Sequence, residues 1–222
     1  MTGALRRVPV ALAWVAVFAI AFALVEASVV IYLRALYYPG GFSFPLRDMP
    51  PGFLRLEIAR EAATILMLLA LGVIAGTKPW EKFSYFIFAF GLWDVMFYAW
   101  LLVTIGWPAS PAEWDILFLV PVPWIGPVIA PVLVSLLMIV CGGVILFRSA
   151  AQKSFRPGVL SWVLGIAATV LVLWSFMSDT DAGLRGAFPA AYHYELLALG
   201  LAGYIAGFVL ACRTPAADVS PR

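Results

Sequence analysis

The stretch LRLEIAREAATILMLLALGVIAG, residues 54–76, decides the fold class. Its last fifteen residues, 62–76, carry no charge, whereas Arg55, Glu57, Arg60 and Glu61 stand directly ahead of them. An uncharged run of this kind favours a helix in lipid, because about 20 predominantly apolar residues are needed to cross the hydrocarbon core. The polar residues at its start therefore raise the question of what they do there.

The composition of the whole chain extends this interpretation to all 222 residues. Hydrophobic residues make up 64% and charged residues 12%, and the mean hydropathy is +1.00. Soluble domains are about half apolar and about a quarter charged. The sequence therefore predicts an integral membrane protein with the lipid bilayer as its environment, no nucleic-acid partner, and a single transmembrane domain over residues 1–222.

Six apolar stretches are long enough to span a bilayer as helices. They are residues 8–36, 58–76, 85–107, 128–147, 159–177 and 195–212. Continuous apolar runs of this length predict helices, since barrel strands alternate over about 10 residues. The first stretch far exceeds the apolar core of a signal peptide, so a retained helix is expected there. The predicted fold is an all-α integral membrane bundle of six transmembrane helices.

The basic residues predict an orientation for this bundle. Nine of the fourteen lysines and arginines fall at the termini and in two loops on one side, and five fall on the other side or within spans. The positive-inside rule then predicts a multi-pass protein of the cell membrane with both termini in the cytoplasm. Ten of the twelve acids fall on the outer side or within spans.

Some of these acids are placed too deep to be ordinary loop residues. Asp48, Asp179 and Asp181 are expected to be solvated. Glu26 and Asp94 fall inside the first and third spans, where an ionised carboxylate costs about 2.5–3.5 kcal/mol, so each is a functional-site candidate. Glu57 and Glu61 share a helix face, and Arg60 is spaced to pair with Glu57. Acids in the first turn of a helix are also stabilised by the positive end of the helix dipole. This helix-entry explanation is the simpler one for Glu57.

The segment between the third and fourth spans, GWPASPAEWDILFLVPVPWIGPVIAPV at residues 106–132, is too apolar for a solvated loop. Its prolines forbid one regular helix. We therefore expect a Pro/Trp-rich interfacial or re-entrant segment between helices 3 and 4, with Trp107, Trp114 and Trp124 at headgroup depth. This segment would either seal the bundle as an interfacial lid or form a portal for a substrate or a lipid.

The acids and the single histidine together suggest one site near the outer face. If the outer helix ends converge, the site would contain the residues Glu26, Glu61, Asp94, Asp115 and His193. All five are candidate ligands of a divalent metal ion, the possible cofactor, and Glu61, Asp94 and His193 are candidate catalytic acids or bases. His193 has a simpler explanation as an interfacial anchor beside two tyrosines.

Three functions stay open at this level. The acids could form a metal-binding or enzymatic site, or serve a proton- or cation-coupled transporter or channel. In the third alternative the chain is an accessory subunit of a membrane complex, and its acids only pair with Arg34, Arg55 and Arg60 or with a partner. Sequence motifs of hydrolases, metalloproteases and phosphate-binding loops are absent. Acids concentrated at the outer depth favour a one-sided site over a conduit. Small residues such as those of GLAGYIAG, residues 200–207, predict tight helix packing within the bundle or across a homo-oligomer.

Overall fold

The computed structural model describes residues 3–38, 40, 50–120, 122–178, 180 and 191–213. It is mostly helical, with six helices long and apolar enough to cross a membrane, as expected of a multi-pass membrane protein. They are α1 (Gly3–Tyr37), α2 (Pro51–Ala75), α3 (Pro79–Ile105), α4 (Ile129–Ala150), α5 (Val159–Met177) and α6 (Tyr194–Arg213). The predicted loop acids Asp48, Asp179 and Asp181, and Pro121 of the proline-rich segment, lie outside the described residues.

The six predicted stretches are confirmed as helices, although α2 and α3 begin earlier than predicted. Pro51 and Pro79 each occupy the first turn, where a missing N–H costs nothing. As a result, no acid lies in the first turn of α2, and the helix-entry explanation of Glu57 is wrong. α3 ends at Ile105, and the following residue, Gly106, closes the helix with a left-handed φ of 67°.

Helices α1 to α4 form a first helix group centred on α3. Glycines set the spacing within it. A Cβ added at Gly72 of α2 would lie 2.7 Å from the backbone oxygen of Lys82, and one added at Gly142 of α4 would lie 2.7 Å from that of Ser84. These distances leave no room for a methyl group, so α2 and α4 touch the backbone of α3 directly.

Helices α5 and α6 form a second helix group, which packs mainly on itself. A Cβ added at Gly200 would lie 2.6 Å from a methyl carbon of Val172, and the approach at Gly203 is also tight. The predicted small-residue packing is therefore confirmed here within the bundle. An added Cβ at Gly143 or Gly165 would instead meet open space.

The proline-rich segment contains a two-stranded antiparallel hairpin, with β1 at Trp114–Phe118 and β2 at Trp124–Pro127. The ring of Phe118 stacks on Phe90 of α3 at 6.1 Å between centroids, and Trp124 stacks on Phe176 of α5 at 6.0 Å. The hairpin thus connects the two helix groups. Where it lies relative to a membrane stays a prediction.

The bundle has two ends that differ in character. The hairpin lies at the end where α1, α3 and α5 finish, which we call the hairpin end. At the other end, Glu81 of α3 accepts a hydrogen bond from Ser149 of α4, and Phe155 packs on Trp80 and Phe208. We call this the basic end, because lysines and arginines gather there. The predicted site residues belong to the hairpin end.

Candidate functional site

A small, partly open cavity lies at the hairpin end, between α1, α2, α3 and strand β1. Its volume is about 60 Å³. Its lining combines apolar side chains with six polar or ionisable ones, which are Glu26, Arg60, Glu61, Thr64, Asp94 and Tyr98. Three of the five predicted site residues therefore face one space, which we call the carboxylate cavity.

Arg60 joins two of the acids. Its guanidinium is ion-paired with Glu26 of α1 through Nη1, and with Glu57 of its own helix through Nη2 at 2.8 Å. Thr64, one turn further along α2, donates from Oγ1 to Glu26 Oε1 at 2.8 Å. The predicted local pair between Glu57 and Arg60 is confirmed, and its spacing of three residues places both side chains on one helix face.

Glu61 and Asp94 receive only neutral donors in the hydrogen bonds seen among the described residues. The backbone N–H of Leu119 donates to Glu61 Oε2 at 2.8 Å, and the hydroxyl of Ser135 in α4 donates to Asp94 Oδ2 at 2.8 Å. Asp94 is 8% exposed. A hydroxyl or amide stabilises a carboxylate without neutralising it, so neither contact removes a negative charge.

The charges around the carboxylate cavity do not balance. Within the described part of the chain, Arg60 is the one basic residue that lines it, against Glu26, Glu61 and Asp94, with Glu57 bound to the same guanidinium. Four ionised carboxyls and one guanidinium would leave three uncompensated negative charges. Such an excess is expensive away from water, so it must be offset by protons or by a bound cation.

An unsatisfied donor also belongs to this lining. Trp93 is 6% exposed, and its indole Nε1 has no hydrogen-bond partner among the described residues. Buried donors are normally satisfied by protein or by ordered water. The cavity is several times larger than the roughly 10–15 Å³ that one water requires. It therefore has both the room and the polar groups to hold water.

Asp115 lies beside this cavity in a separate cluster. It is ion-paired with Arg34 of α1 at 3.1 Å and accepts from the hydroxyl of Tyr98 at 3.3 Å. The Arg34 guanidinium also lies 3.7 Å above the ring of Trp107. Burial raises the pKa of Asp115 to about 6, although Arg34 opposes the rise. The carboxyl is consequently ionised at pH 8, and the pair fastens strand β1 to α1 and α3.

His193 is not brought into the cavity. It lies just before α6, with its side chain 46% exposed, and its Nδ1 is 2.8 Å from Glu195 Oε1. Among the residues that the structure describes, no group of three or more histidine, cysteine or acidic side chains could hold a metal ion. The predicted divalent-metal site with all five ligands therefore finds no support in this geometry.

The remaining contacts of the site were not predicted from sequence. Ser135 and the Leu119 amide come from α4 and from the turn of the hairpin, distant in sequence from the acids they contact. Tyr98 lies one turn after Asp94 on α3, so its spacing could have indicated a shared helix face.

Comparisons with known proteins leave the site to be interpreted from its own chemistry. The chain matches no protein-family model, and neither a curated protein nor a solved structure matches it.

Proposed function

We propose that this is a proton-coupled membrane protein in which the carboxylate cavity takes up and releases protons. The observation that supports this most directly is the excess of acids over bases: Glu26, Glu61 and Asp94 line a cavity that contains only Arg60 as a cation among the described residues. Protons neutralise carboxyls without requiring a ligand sphere, which suits a cavity of about 60 Å³. Intramembrane acids of this kind are typical of proton relays in pumps and transporters.

The cavity opens to the protein surface on one side. The Arg60 side chain is 22% exposed, so the α2 side of the cavity reaches the surface. Towards the basic end, α1, α2 and α3 continue into an apolar core that includes Ala19, Ala23, Leu68 and Ala89. This asymmetry fits one accessible state of a transporter better than an open channel. Proton-coupled transport is the activity we infer from it.

Proton release by the purified protein tests this proposal. Between about pH 6 and about pH 9, ordinary carboxyls release almost no protons. We expect the unmodified chain in detergent to release at least about one more proton over this interval than the Glu61→Gln/Asp94→Asn variant. Potentiometric titration measures the difference.

A matched control separates the cavity from acids in general. Glu113→Gln removes a carboxyl at the same end of the bundle, outside the cavity, keeps an acceptor for the Ala109 N–H, and should leave the number of released protons unchanged. Thermal midpoints verify that each variant is folded. Equal proton release from the unmodified chain and the double variant would exclude Glu61 and Asp94 as proton-binding groups.

We also propose that both termini lie in the cytoplasm and that the hairpin end faces outward. The basic residues favour this orientation, since nine of fourteen fall on the side of the termini. It would place the Pro/Trp-rich hairpin near the outer headgroups. We expect green fluorescent protein fused after Arg222 to be fluorescent and alkaline phosphatase fused there to be inactive. Active phosphatase together with a non-fluorescent fusion protein would show the opposite orientation.

Association with other chains is a weaker part of this picture. The glycines at 200 and 203 are occupied by contacts between α5 and α6, so a homo-oligomer would use other small-residue faces, such as that of Gly143. The accessory-subunit alternative expects the acids to pair with arginines, and Arg34 and Arg60 do so inside this chain, whereas Glu61 and Asp94 accept hydrogen bonds from neutral donors. The acids without an arginine partner, Glu61 and Asp94, are therefore the ones that favour proton binding over a purely structural role.

A further inference from the structure

A second cavity, much larger and chemically different, opens at the basic end. It is a groove of about 410 Å³ between α3 and α4 on one wall and α5 and α6 on the other. The residues that define it are mainly apolar, among them Ile87, Met138, Ile145, Trp162, Ile166 and Phe208. Its volume falls in the usual range of ligand sites, about 300–1,000 Å³.

The groove exists because the two helices of each wall pack tightly against each other and only loosely against the opposite wall. α4 touches the α3 backbone at Gly142, and α6 touches α5 at Gly200, whereas α4 and α6 make few contacts with each other. The two helix groups are joined mainly through the hairpin at the opposite end. Between them at the basic end, apolar side chains face an open space.

The dimensions of the groove match one leaflet of a bilayer. Along α5 its lining runs from Ser161 to Thr169, which is about 12 Å at 1.5 Å per residue. Half of the hydrocarbon core is about 15 Å. At the deep end, Thr169 Oγ1 and Tyr204 Oη are hydrogen-bonded at 2.8 Å. An extended acyl chain that entered at the basic end would therefore reach this polar floor near the middle of the bilayer.

The mouth of the groove carries positive charge. Phe155 and Pro157 line it, and the exposed Arg156 lies between them, its backbone N–H bonded to the oxygen of Ala211 at 3.2 Å. Arg148 holds this loop in place through hydrogen bonds from Nη2 to Ser154 O at 2.8 Å and to Cys212 O at 2.5 Å. Other basic residues at this end are Lys78, Lys82, Lys153 and Arg213, and Glu81 is the acid beside them.

Aromatic rings complete the mouth. Trp80 packs edge-on against Phe155 at 4.9 Å between ring centroids, and it lies 6.3 Å from Trp162. Tryptophan prefers the boundary between headgroups and acyl chains. An aromatic ring set at that boundary, with lysine and arginine beyond it, provides contacts for both parts of a phospholipid.

We propose that this groove binds an anionic phospholipid, with one acyl chain between the two helix groups and the phosphate at Lys153 and Arg156. The apolar lining, the length of one leaflet and the charge at the mouth each match a part of that molecule. The proposal is independent of proton binding at the hairpin end, because no residue lines both cavities.

Native mass spectrometry of the delipidated full-length protein tests the headgroup. Phosphatidylglycerol and phosphatidylcholine with identical acyl chains are titrated separately. Each basic residue near an anionic headgroup is expected to contribute about fivefold in affinity, so the first phosphatidylglycerol should bind well over tenfold more tightly than phosphatidylcholine. Lys153→Gln/Arg156→Gln should reduce this preference towards unity. Equal binding of the two lipids to the unmodified chain would refute headgroup recognition.

A second pair of variants tests the groove itself. Gly165 lines the groove and Gly143 does not, yet an added Cβ meets nothing within 4 Å at either position. Gly165→Phe should therefore fill the groove and abolish binding of the first lipid, whereas Gly143→Phe should retain it. Thermal midpoints of both variants report whether they are folded. Retention of lipid by folded Gly165→Phe, to the same extent as by Gly143→Phe, would overturn the assignment.

Discussion

Replacing Arg60 with methionine is expected to lower the free energy of unfolding in detergent by about 3 kcal/mol. The guanidinium is the shared partner of Glu26 and Glu57, whose side chains are only 6% and 9% exposed. Methionine fills similar space but leaves two buried carboxyls without their cation. Unfolding by increasing denaturant, followed by tryptophan fluorescence, measures the loss.

Two further variants separate charge from packing. Arg55→Met changes an exposed arginine of the same helix and should stay within about 0.5 kcal/mol of the unmodified chain. Arg60→Met/Glu26→Gln removes one of the stranded charges while keeping an acceptor for Thr64, and it should recover a large part of the loss. If Arg60→Met is no more destabilising than Arg55→Met, the guanidinium does not hold the cavity acids.

The helices could be predicted from sequence because hydropathy reports a property of each stretch by itself. The start of α2 shows where that breaks down. The charges at residues 55–61 placed the predicted beginning at residue 58, but the helix begins at Pro51. A hydropathy sum assigns to every charged residue the full free-energy cost of facing lipid without a partner. Arg60, Glu57 and Glu26 remove much of one another's cost through pairing, and a pair with Glu26 spans two helices.

The candidate site was also predicted only in part, since the sequence indicated the buried acids but not their hydrogen-bond partners. The depth of Glu26 and Asp94 marked them from sequence, since a buried acid is conspicuous in an apolar run. Their partners were not marked, because a serine such as Ser135 or a backbone amide such as that of Leu119 carries no compositional signal. The hairpin that supplies Leu119 lies in a short proline-rich stretch, where neither helical nor alternating periodicity is developed. His193 was predicted to belong to the site only because histidine is a common ligand and acid–base group. The structure places it outside the cavity, beside Glu195.

Breaking the pair between Arg34 and Asp115 should have the largest effect on stability, about 3–5 kcal/mol for Asp115→Ala. The two side chains are 10% and 7% exposed, and Tyr98 adds a hydrogen bond to the same carboxyl. Removing the carboxylate takes away the anion that faces the buried Arg34 guanidinium. Denaturant unfolding at pH 8, where Asp115 is ionised, gives the free energy directly.

A double-mutant cycle shows how much of this loss is the pair itself. Arg34→Met/Asp115→Leu replaces both charges by apolar groups and should be more stable than Arg34→Met or Asp115→Leu alone, which requires a coupling energy above the larger single loss of about 3–5 kcal/mol. The exposed pair of Lys78 and Glu81 is the reference, and Lys78→Met should cost less than about 1 kcal/mol. Additive single effects at Arg34 and Asp115 would show that the two residues act separately.

The same variants connect the hairpin to the carboxylate cavity. Asp115 fastens strand β1, and the hairpin supplies the Leu119 N–H that binds Glu61. A loosened hairpin withdraws that donor, which favours the neutral form of Glu61 over its anion. In an Asp94→Asn background, which removes the cavity carboxyl that the Asp115 charge acts on directly, Asp115→Ala should therefore shift the remaining proton release by the cavity to higher pH, whereas Lys78→Met should leave it unchanged. An unshifted release profile in folded Asp115→Ala would mean that the hairpin covers the cavity without setting its charge.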